Sequence, residues 1–534
     1  MTLMRIFTEN PALNSDQKVH WEGLTSGGLA LALTEASLNH DGLTVVITNS
    51  AKEATYQRGA IEFFSKGQDL PILILPDWET LPYDIFSPHQ DIISGRLKTL
   101  AKLPTTKRGI LLVPVTTIMH RLAPVDFVSS RTFHYQVGDE LDRDKLQSQL
   151  NKVGYNRVDT VYEHGEFAFR GSIIDIFPMG AKSPFRMDLL DTEVESLRLF
   201  DPESQRTIES VQRIDVLPAR EFPLDKQSIN TFLNKWHDCF DNNPDPCPVY
   251  RDVKEGIAPQ GIEYYSSLFF EKTATLFDYL PENILLFTLN DIETTANRFW
   301  NDINARYTEY GVDPERPLLE PSAVFLTVDK IFHKMKNLPR TKLKMADAVG
   351  EAKDSISPVR LVPDVTVNVK LGNPLSKLHS FLNSDLDAEQ RLKVLFCAES
   401  SGRREVLIDL LKSINLSPTD VETWTDFLQQ KDNFNICTFP LDEGIFCPEN
   451  NLCLITESDL FGQQVMQRRR RSAAANSPDY IFKSLAELKV NAAVVHIEHG
   501  VGRYKGLVTL EVDKTTQEFL MLTYANDAKL YVPV

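Results

Sequence analysis

The sequence has 534 residues, of which 42% are hydrophobic and 25% are charged, as is typical of folded globular proteins. That length exceeds what one hydrophobic core serves, so we expect roughly three to five domains. The formal net charge of −17 disfavours a protein that grips duplex DNA over most of its surface. No apolar run approaches the roughly 20 residues that cross a bilayer. The sequence therefore predicts a cytoplasmic protein with no membrane segment.

Residues 1–125 predict an α/β unit. A helical stretch at residues 27–40, GGLALALTEASLNH, precedes a series of short apolar runs. Short apolar strands that alternate with helices are typical of a parallel sheet covered on both faces. The runs predicted as strands are 43–48, 70–76 and 109–117.

A glycine pair at the start of the first helix resembles part of a phosphate-binding loop. Gly23 and Gly28 have the spacing G-x-x-x-x-G, but Leu29 and Ala30 stand where a Lys and a Ser or Thr should follow. The missing Lys would pair with phosphate charges, and the missing hydroxyl would hold Mg²⁺. The stretch is either a decayed nucleotide site or a plain glycine-rich helix start, and spacing alone favours the second.

The next stretch, residues 126–218, has closely spaced strand candidates separated by short turns and predicts a small, mainly antiparallel unit. Residues 219–350 return to an α/β pattern, with strands expected at 283–289 and 323–328. This order indicates a domain inserted into a sheet.

A polar stretch at 346–358 marks a boundary, and residues 362–462 predict a further α/β unit. Residues 392–398 are a strand candidate, followed by an amphipathic helix capped by Ser400 or Ser401.

Residues 463–483 are interpreted as a linker, and they contain the one dense basic cluster, Arg468–Arg471. A solvated linker is the default interpretation, and contact with DNA or RNA polymerase is the alternative. Residues 484–534 are rich in strand candidates and predict a partial β-barrel that is cut short.

Four stretches occur in an order that carries a resemblance to a known family. The first three resemble both UvrB, a subunit of excision repair, and the N-terminal half of the bacterial transcription-repair coupling factors (Mfd); the last resembles the coupling factors alone. The stretches are LPDWETLPYDIFSPHQDIISGRL, EHGEFAFRGSIIDIFP, GIEYYSSLFF and VVHIEHGVGRYKGL…LTYANDAKLYVPV.

The resemblance implies a layout for the whole chain. Residues 1–125 and 219–350 would form a RecA-like, UvrB-like domain, with the UvrA-binding unit 126–218 inserted in it. Residues 362–462 would be a domain of unclear role, and 484–534 the start of a CarD-type module that binds RNA polymerase. In this context the glycine loop is better interpreted as a decayed nucleotide site kept as scaffold.

In the family an ATP- and Mg²⁺-dependent DNA translocase motor follows, and the present sequence has no intact G-x-x-x-x-G-K-[ST]. The chain is therefore predicted to be catalytically inactive and to need no cofactor, with DNA contacted mainly through the absent motor. The alternative is a UvrB-like, DNA-dependent ATPase or helicase subunit. UvrB carries a long aromatic hairpin after its equivalent of Tyr83, for which the sequence leaves too little room. Phe86 and His89, with Tyr83, are either DNA-stacking groups or packed turn residues, and the second is favoured.

For UvrA, the resemblance points to Arg170, Arg186 and Leu190 in the inserted unit. Arg186 and Leu190 are four apart in a strand candidate and so share a face. The alternative is that the arginines balance nearby acids such as Asp188 and Asp191. If the arginines form the interface, their replacement by Ala is expected to weaken UvrA capture with almost no change in melting temperature.

For the β subunit of RNA polymerase, the resemblance points to an edge strand that pairs with a strand of the partner. The residues are Val508, Thr509 and Leu510. A core position for Leu510 is the alternative.

Overall fold

The structure is a computed structural model, and the residues it describes fall into several ranges. They are 6–7, 10–17, 19–241, 243–345, 358–368, 374–383, 392–462, 493–496, 500–512, 515–524 and 529–533. The chain divides into two compact units, Met1–Gln464 and Val465–Val534. Within the described ranges, no helix has the length and apolar character needed to cross a membrane.

Strands and helices alternate at the start of the first 345 residues, and a run of consecutive strands follows. The strands are β1 (Val19–Leu24), β2 (Leu43–Thr48), β3 (Ile72–Ile74), β4 (Gly109–Pro114), β5 (Phe133–Gln136), β6 (Asn156–Arg157), β7 (Glu166–Arg170), β8 (Ile173–Ile176), β9 (Phe185–Leu190), β10 (Glu193–Phe200), β11 (Thr207–Val211), β12 (Arg213–Val216), β13 (Ile284–Leu289) and β14 (Arg340–Met345). The helices are α1 (Ser26–Leu38), α2 (Ala51–Phe64), α3 (Gln90–Lys102), α4 (Val115–Ile118), α5 (Val125–Ser129), α6 (Arg143–Lys152), α7 (Lys226–Cys239), α8 (Pro248–Lys254), α9 (Leu276–Tyr279), α10 (Ile292–Tyr310), α11 (Pro321–Val324) and α12 (Val328–Met335).

A six-stranded parallel sheet, in the order β1-β14-β13-β2-β4-β3, organises the first and last parts of this region. Strands β2, β4 and β13 are buried along their whole length, which is why they read as continuous apolar runs. Because β13 and β14 lie between β1 and β2, the sheet is completed only after the chain has made the strands β5–β12.

Those intervening strands form a second sheet in the order β11-β10-β9-β8-β7-β6. Its neighbours are antiparallel except for β6 and β7. The first and last strands, β5 and β12, pair antiparallel with each other. The chain thus enters and leaves the region of the second sheet at one place, where β5 pairs with β12.

The third sheet is built from residues 393–456. Its strands are β15 (Lys393–Ala398), β16 (Thr419–Asp420), β17 (Phe434–Thr438), β18 (Ile445–Cys447) and β19 (Leu452–Thr456), and the accompanying helices are α13 (Ser376–Leu382), α14 (Ser401–Lys412), α15 (Trp424–Gln429) and α16 (Glu457–Phe461). The order is β16-β17-β15-β19-β18, parallel except for β18–β19. Ser400 caps α14.

This third sheet shares a hydrophobic core with helices α1 and α2. Trp424 packs edge-on against Phe64, with ring centroids 5.2 Å apart. Residues 358–462, which contain this sheet, are called the third-sheet unit.

The second compact unit contains a four-stranded antiparallel sheet, β20-β21-β22-β23. Its strands are β20 (Ala493–His496), β21 (Gly500–Val512), β22 (Thr515–Thr523) and β23 (Lys529–Pro533). The chain is therefore a multi-domain α/β protein with parallel, mixed and antiparallel sheets.

In the region of the first sheet, one predicted strand is wrong, and two strands of that sheet escaped prediction. Residues 323–328 are not a strand: Pro321 opens the short helix α11, and α12 begins at Val328. Proline at a first helical position is favourable because its missing N–H would have no partner there. The unpredicted strands, β1 and β14, pair with each other at the sheet edge, where charged and apolar residues mix.

A buried ion pair ties the inserted region to the first sheet. Arg96 on α3, fully buried, donates to Glu221 over 2.7 Å and to the carbonyl of Pro76 over 2.7 Å. The other Glu221 oxygen accepts from the indole of Trp78 over 3.1 Å. Because Glu221 follows β12 closely, this pair fixes the point where the chain returns from the second sheet.

We expect Glu221→Ala to lower the free energy of unfolding by about 3–5 kcal/mol, because it leaves a buried guanidinium without its counter-ion. The matched control is Glu62→Ala, which breaks a half-exposed pair with Arg58 and is expected to change it by about 0.3–0.5 kcal/mol. Urea unfolding of both variants measures the difference. Equal, small effects would contradict the structural role of the pair.

Candidate functional site

The glycine pair lies in a strand–turn–helix. β1 ends at Leu24, and Gly23 adopts a left-handed backbone with φ 71°. Thr25 caps α1, its hydroxyl accepting from the N–H of Gly28 over 3.0 Å. A helix N-terminus reached through such a turn presents unpaired N–H groups and favours an anion.

Leu29 and Ala30, which replace the Lys and the Ser or Thr of a phosphate loop, are fully buried. Both belong to the core shared by α1 and the third-sheet unit. These two positions therefore serve packing rather than charge.

The start of α1 is covered by the third-sheet unit. The carboxylate of Glu443 accepts from the N–H of Gly27 over 3.3 Å. Burial raises the pKa of Glu443, and hydrogen bonds from the N–H groups of Gly27 and Ser26 oppose that rise. A Cβ on Gly27 would lie 2.7 Å from a methyl carbon of Ile445. An internal carboxylate thus occupies the position that suits an anion, and glycine permits the approach.

The three aromatic candidates for DNA stacking have different environments. Tyr83 is buried and donates its hydroxyl to the carbonyl of Leu319 over 2.8 Å. His89 caps α3, its ring nitrogen accepting from the N–H of Asp91 over 3.2 Å. Phe86 is exposed and has no such role among the described residues, whereas His89 is exposed as well as capping. Two of the three side chains therefore have packing or capping roles.

Arg170 and Arg186 come together on the outer face of the second sheet, around a single carboxylate. Asp175, on β8, is 1% exposed. It accepts from Arg170 Nη2 over 2.8 Å, and from Arg186 Nε over 2.7 Å and Nη2 over 2.9 Å. These hydrogen bonds raise the pKa of Arg186, so its charge is secure.

The acids named in the sequence alternative have other roles. Asp188 pairs with Arg198, and Asp191 occupies the β9–β10 turn with φ 54°. The arginines therefore do meet an acid, but it is Asp175. Replacing both arginines by Ala would leave this buried carboxylate unpaired. We therefore no longer expect an unchanged melting temperature for that variant.

Leu190 projects from the end of β9 and is 63% exposed. Its position, four residues after Arg186 in one strand, places both on the same face. The structure thus brings the three sequence-predicted UvrA residues onto one sheet surface, on which Leu190 lies directly across from the exposed Glu193.

The three residues proposed to meet RNA polymerase lie within β21. Val508, Thr509 and Leu510 pair with Phe519, Glu518 and Gln517 of β22. On the other side, β20 pairs with β21 only from Gly500 to Arg503. Among the described residues, the backbone edge at 508–510 is open on that side. Arg468–Arg471 lie outside the described residues.

Two residues that matter here were not found from the sequence. Glu443 sits in a loop, PLDEGIF, with no periodic signal. Asp175 interrupts the apolar run SIIDIFP; an acid at a buried strand position requires a partner, and that was an available signal. Among the described residues, no group of three or more His, Cys, Asp or Glu side chains could hold a metal ion.

We expect the chain to give no measurable heat of binding with Mg-ATP in calorimetric titration, because Glu443 occupies the anion position and no Lys stands there to neutralise phosphate charge. Micromolar ATP affinity of the unaltered chain would contradict this prediction.

We also expect Glu443→Ala to lower the free energy of unfolding by about 1–3 kcal/mol, since it removes the acceptor of buried N–H groups. The control is Asp442→Ala, at the exposed neighbouring position.

Three regions of the chain match models of known protein families. Family models match residues 133–222 (UvrB interaction domain), 388–460 (MFD, D3 domain) and 488–534 (CarD-like/TRCF RID domain). Transcription-repair-coupling factors are 44% identical in Escherichia coli K12 over 525 residues and 39% identical in Haemophilus influenzae Rd over 526 residues, each match covering 98% of this chain and 45% of the relative. The one from Bacillus subtilis 168 is 28% identical, covering 95% of this chain and 44% of the relative. The chain thus spans less than half the length of these relatives. The resemblance in its sequence motifs is confirmed: over nearly its whole length, the chain is related to part of the transcription-repair-coupling factors.

Proposed function

We propose that the chain is the non-motor half of a transcription-repair-coupling factor, which brings UvrA to RNA polymerase. The observation that carries this proposal is the presence of a UvrB interaction domain and a CarD-like/TRCF RID domain on one polypeptide. A protein with two such modules works by holding two partners together, and linkage raises the effective concentration of each near the other.

The UvrA surface in this proposal is the outer face of the second sheet. Arg170 and Arg186 supply cations, and Leu190 supplies an exposed apolar contact. Arginine beside an exposed apolar side chain is a common arrangement at protein interfaces. The arginines make this surface locally cationic, although the chain as a whole has a net charge of −17.

The RNA polymerase surface is the open edge of β21. Backbone N–H and C=O groups at Val508, Thr509 and Leu510 would continue the sheet into a strand of the polymerase β subunit. In this proposal, residues 484–534 are the start of a CarD-type partial barrel.

The finer domain assignment also belongs to this proposal. Residues 1–125 and 219–350 would be a RecA-like, UvrB-like domain with the UvrA-binding unit 126–218 inserted. Residues 362–462 would be a separate domain, and 463–483 a linker. The shared parallel sheet of β1–β4 with β13 and β14 supports the first part of this division.

The alternative, a UvrB-like DNA-dependent ATPase, finds no support in the site. Leu29 and Ala30 are buried, and Glu443 covers the helix start. We propose that the chain itself neither needs a cofactor nor turns over ATP. ATP, Mg²⁺ and most DNA contact would belong to a motor outside this chain.

A bridging assay tests the function. Immobilised core RNA polymerase is incubated with the chain and then with UvrA, and the retained UvrA is measured. We expect UvrA to be retained only when the chain is present. Leu510→Arg should lose polymerase binding by about tenfold or more and keep UvrA binding, because it places a charge at the strand edge.

Leu190→Arg is the reciprocal control, expected to lose UvrA and keep the polymerase. If a variant still binds its unaffected partner, that variant is still folded. Retention of UvrA on the polymerase by either variant at the unaltered level would contradict its assigned surface. No retention by the unaltered chain would contradict the function.

A further inference from the structure

On the outer face of the second sheet, Asp175 and Asp188 are more buried than the arginines that pair with them. Directly across neighbouring strands, Asp175 faces Arg186, and Arg186 faces Arg198. Two carboxylates of this face, Asp175 and Asp188, have side chains only 1% and 19% exposed, whereas Glu193, directly across from Leu190, is exposed. The side chains of Arg170 and Arg198 are more exposed than those of Asp175 and Asp188. The part of the surface around Arg170, Arg186 and Arg198 is therefore cationic.

The two arginines held by Asp175 are not equivalent. Arg186 has a side chain 17% exposed, and besides its two bonds to Asp175 it donates to the carbonyl and side-chain oxygens of Gln205 over 3.3 and 3.4 Å. Its guanidinium also lies over the ring of Phe200, 4.5 Å from the centroid. Arg186 has thus committed most of its five N–H donors within the protein.

Arg170 has kept its donors. Its side chain is 46% exposed, and within the described part of the chain it makes a single hydrogen bond, from Nη2 to Asp175. A guanidinium fixed by one N–H and open at the others can bind a second carboxylate in a bidentate manner. Holding it in place beforehand also lowers the entropy lost when the partner binds.

We propose that Asp175 is a positioning residue of this surface: it orients Arg170 toward a carboxylate of the partner, while Arg186 neutralises Asp175 from below and does not itself make the main contact. This inference rests on the proposed UvrA-binding function and deepens it. It assigns the partner group as an Asp or Glu side chain that lies next to an apolar side chain able to pack on Leu190.

A double-mutant cycle on the full chain tests the coupling, with UvrA affinity measured by interferometry. Asp175→Asn keeps the shape of the side chain and removes its charge. We expect it to weaken UvrA binding about tenfold, as the loss of one charge-assisted hydrogen bond would, and Arg170→Ala to weaken it at least as much. The double variant should be no weaker than Arg170→Ala alone, because Asp175 acts through Arg170. Additive losses, or full affinity in Asp175→Asn, would overturn the proposal.

Arg170→Lys keeps the inference testable if Asp175→Asn does not fold. The substitution is at an exposed side chain and preserves the charge, yet a lysine cannot bridge two carboxylates with a planar fork. We expect it to weaken UvrA binding nearly as much as Arg170→Ala, and to leave the melting temperature unchanged. Affinity equal to the unaltered chain would overturn the proposal. The control is Arg213→Lys, on β12, whose guanidinium pairs with Asp215 outside this sheet.

A measurement without UvrA separates this inference from the proposed function. Nitrogen-15 NMR of arginine side chains in the free chain reports how fast each guanidinium rotates. We expect Arg170 to rotate slowly in the unaltered chain and fast in Asp175→Asn. If the unaltered chain binds no UvrA, the proposed function fails, and the NMR comparison still decides whether Asp175 positions Arg170. Equal rotation in both chains would overturn the positioning role.

Discussion

The backbone N–H groups at the start of α1 meet the carboxylate of Glu443, and this contact joins α1 to the third-sheet unit within the first compact unit. A helix N-terminus attracts an anion through its unpaired N–H groups and its dipole. In a nucleotide-binding protein the anion would be a phosphate. Here it is a side chain of the third-sheet unit, and Leu29 and Ala30 extend the contact by packing into the core that the two parts share. The position that suits an anion therefore serves as a contact between two parts of the first compact unit.

Two other buried carboxylates also organise their surroundings: Asp175, on the proposed UvrA surface, and Glu221, beside the first sheet. Asp175 holds two guanidinium groups, and Glu221 holds Arg96 with the indole of Trp78. A buried carboxylate is expensive to desolvate and needs several donors in good geometry. Those requirements make its partners stiff. An acidic chain can thereby present a cationic face, because some of its negative charge lies below the surface.

Local sequence patterns predicted much of the sheet framework and little of these contacts. The strands β2, β4 and β13 are buried on both faces, so their apolar runs were unambiguous. β14, RTKLKM, alternates charged and apolar residues and was missed, and AVFLTV was read as a strand although Pro321 starts a helix there. Asp175 and Glu443 bind groups that are close only after folding: Glu443 and Gly27 are 416 residues apart. No local pattern encodes such a pairing, whereas the family resemblance correctly pointed to the relatives.

Both proposed binding surfaces are formed before a partner arrives. Asp175 holds Arg170 and Arg186 on strands that are hydrogen-bonded to their neighbours, and β22 pairs with β21 through the segment that would meet the polymerase. Binding to such surfaces requires little ordering of the chain, so more of the interaction energy appears as affinity. If the chain holds UvrA and RNA polymerase together without consuming ATP, as we propose, contact energy is its only means of binding them. Paired strands and buried counter-ions reduce the free energy that the chain loses when these surfaces become ordered on binding.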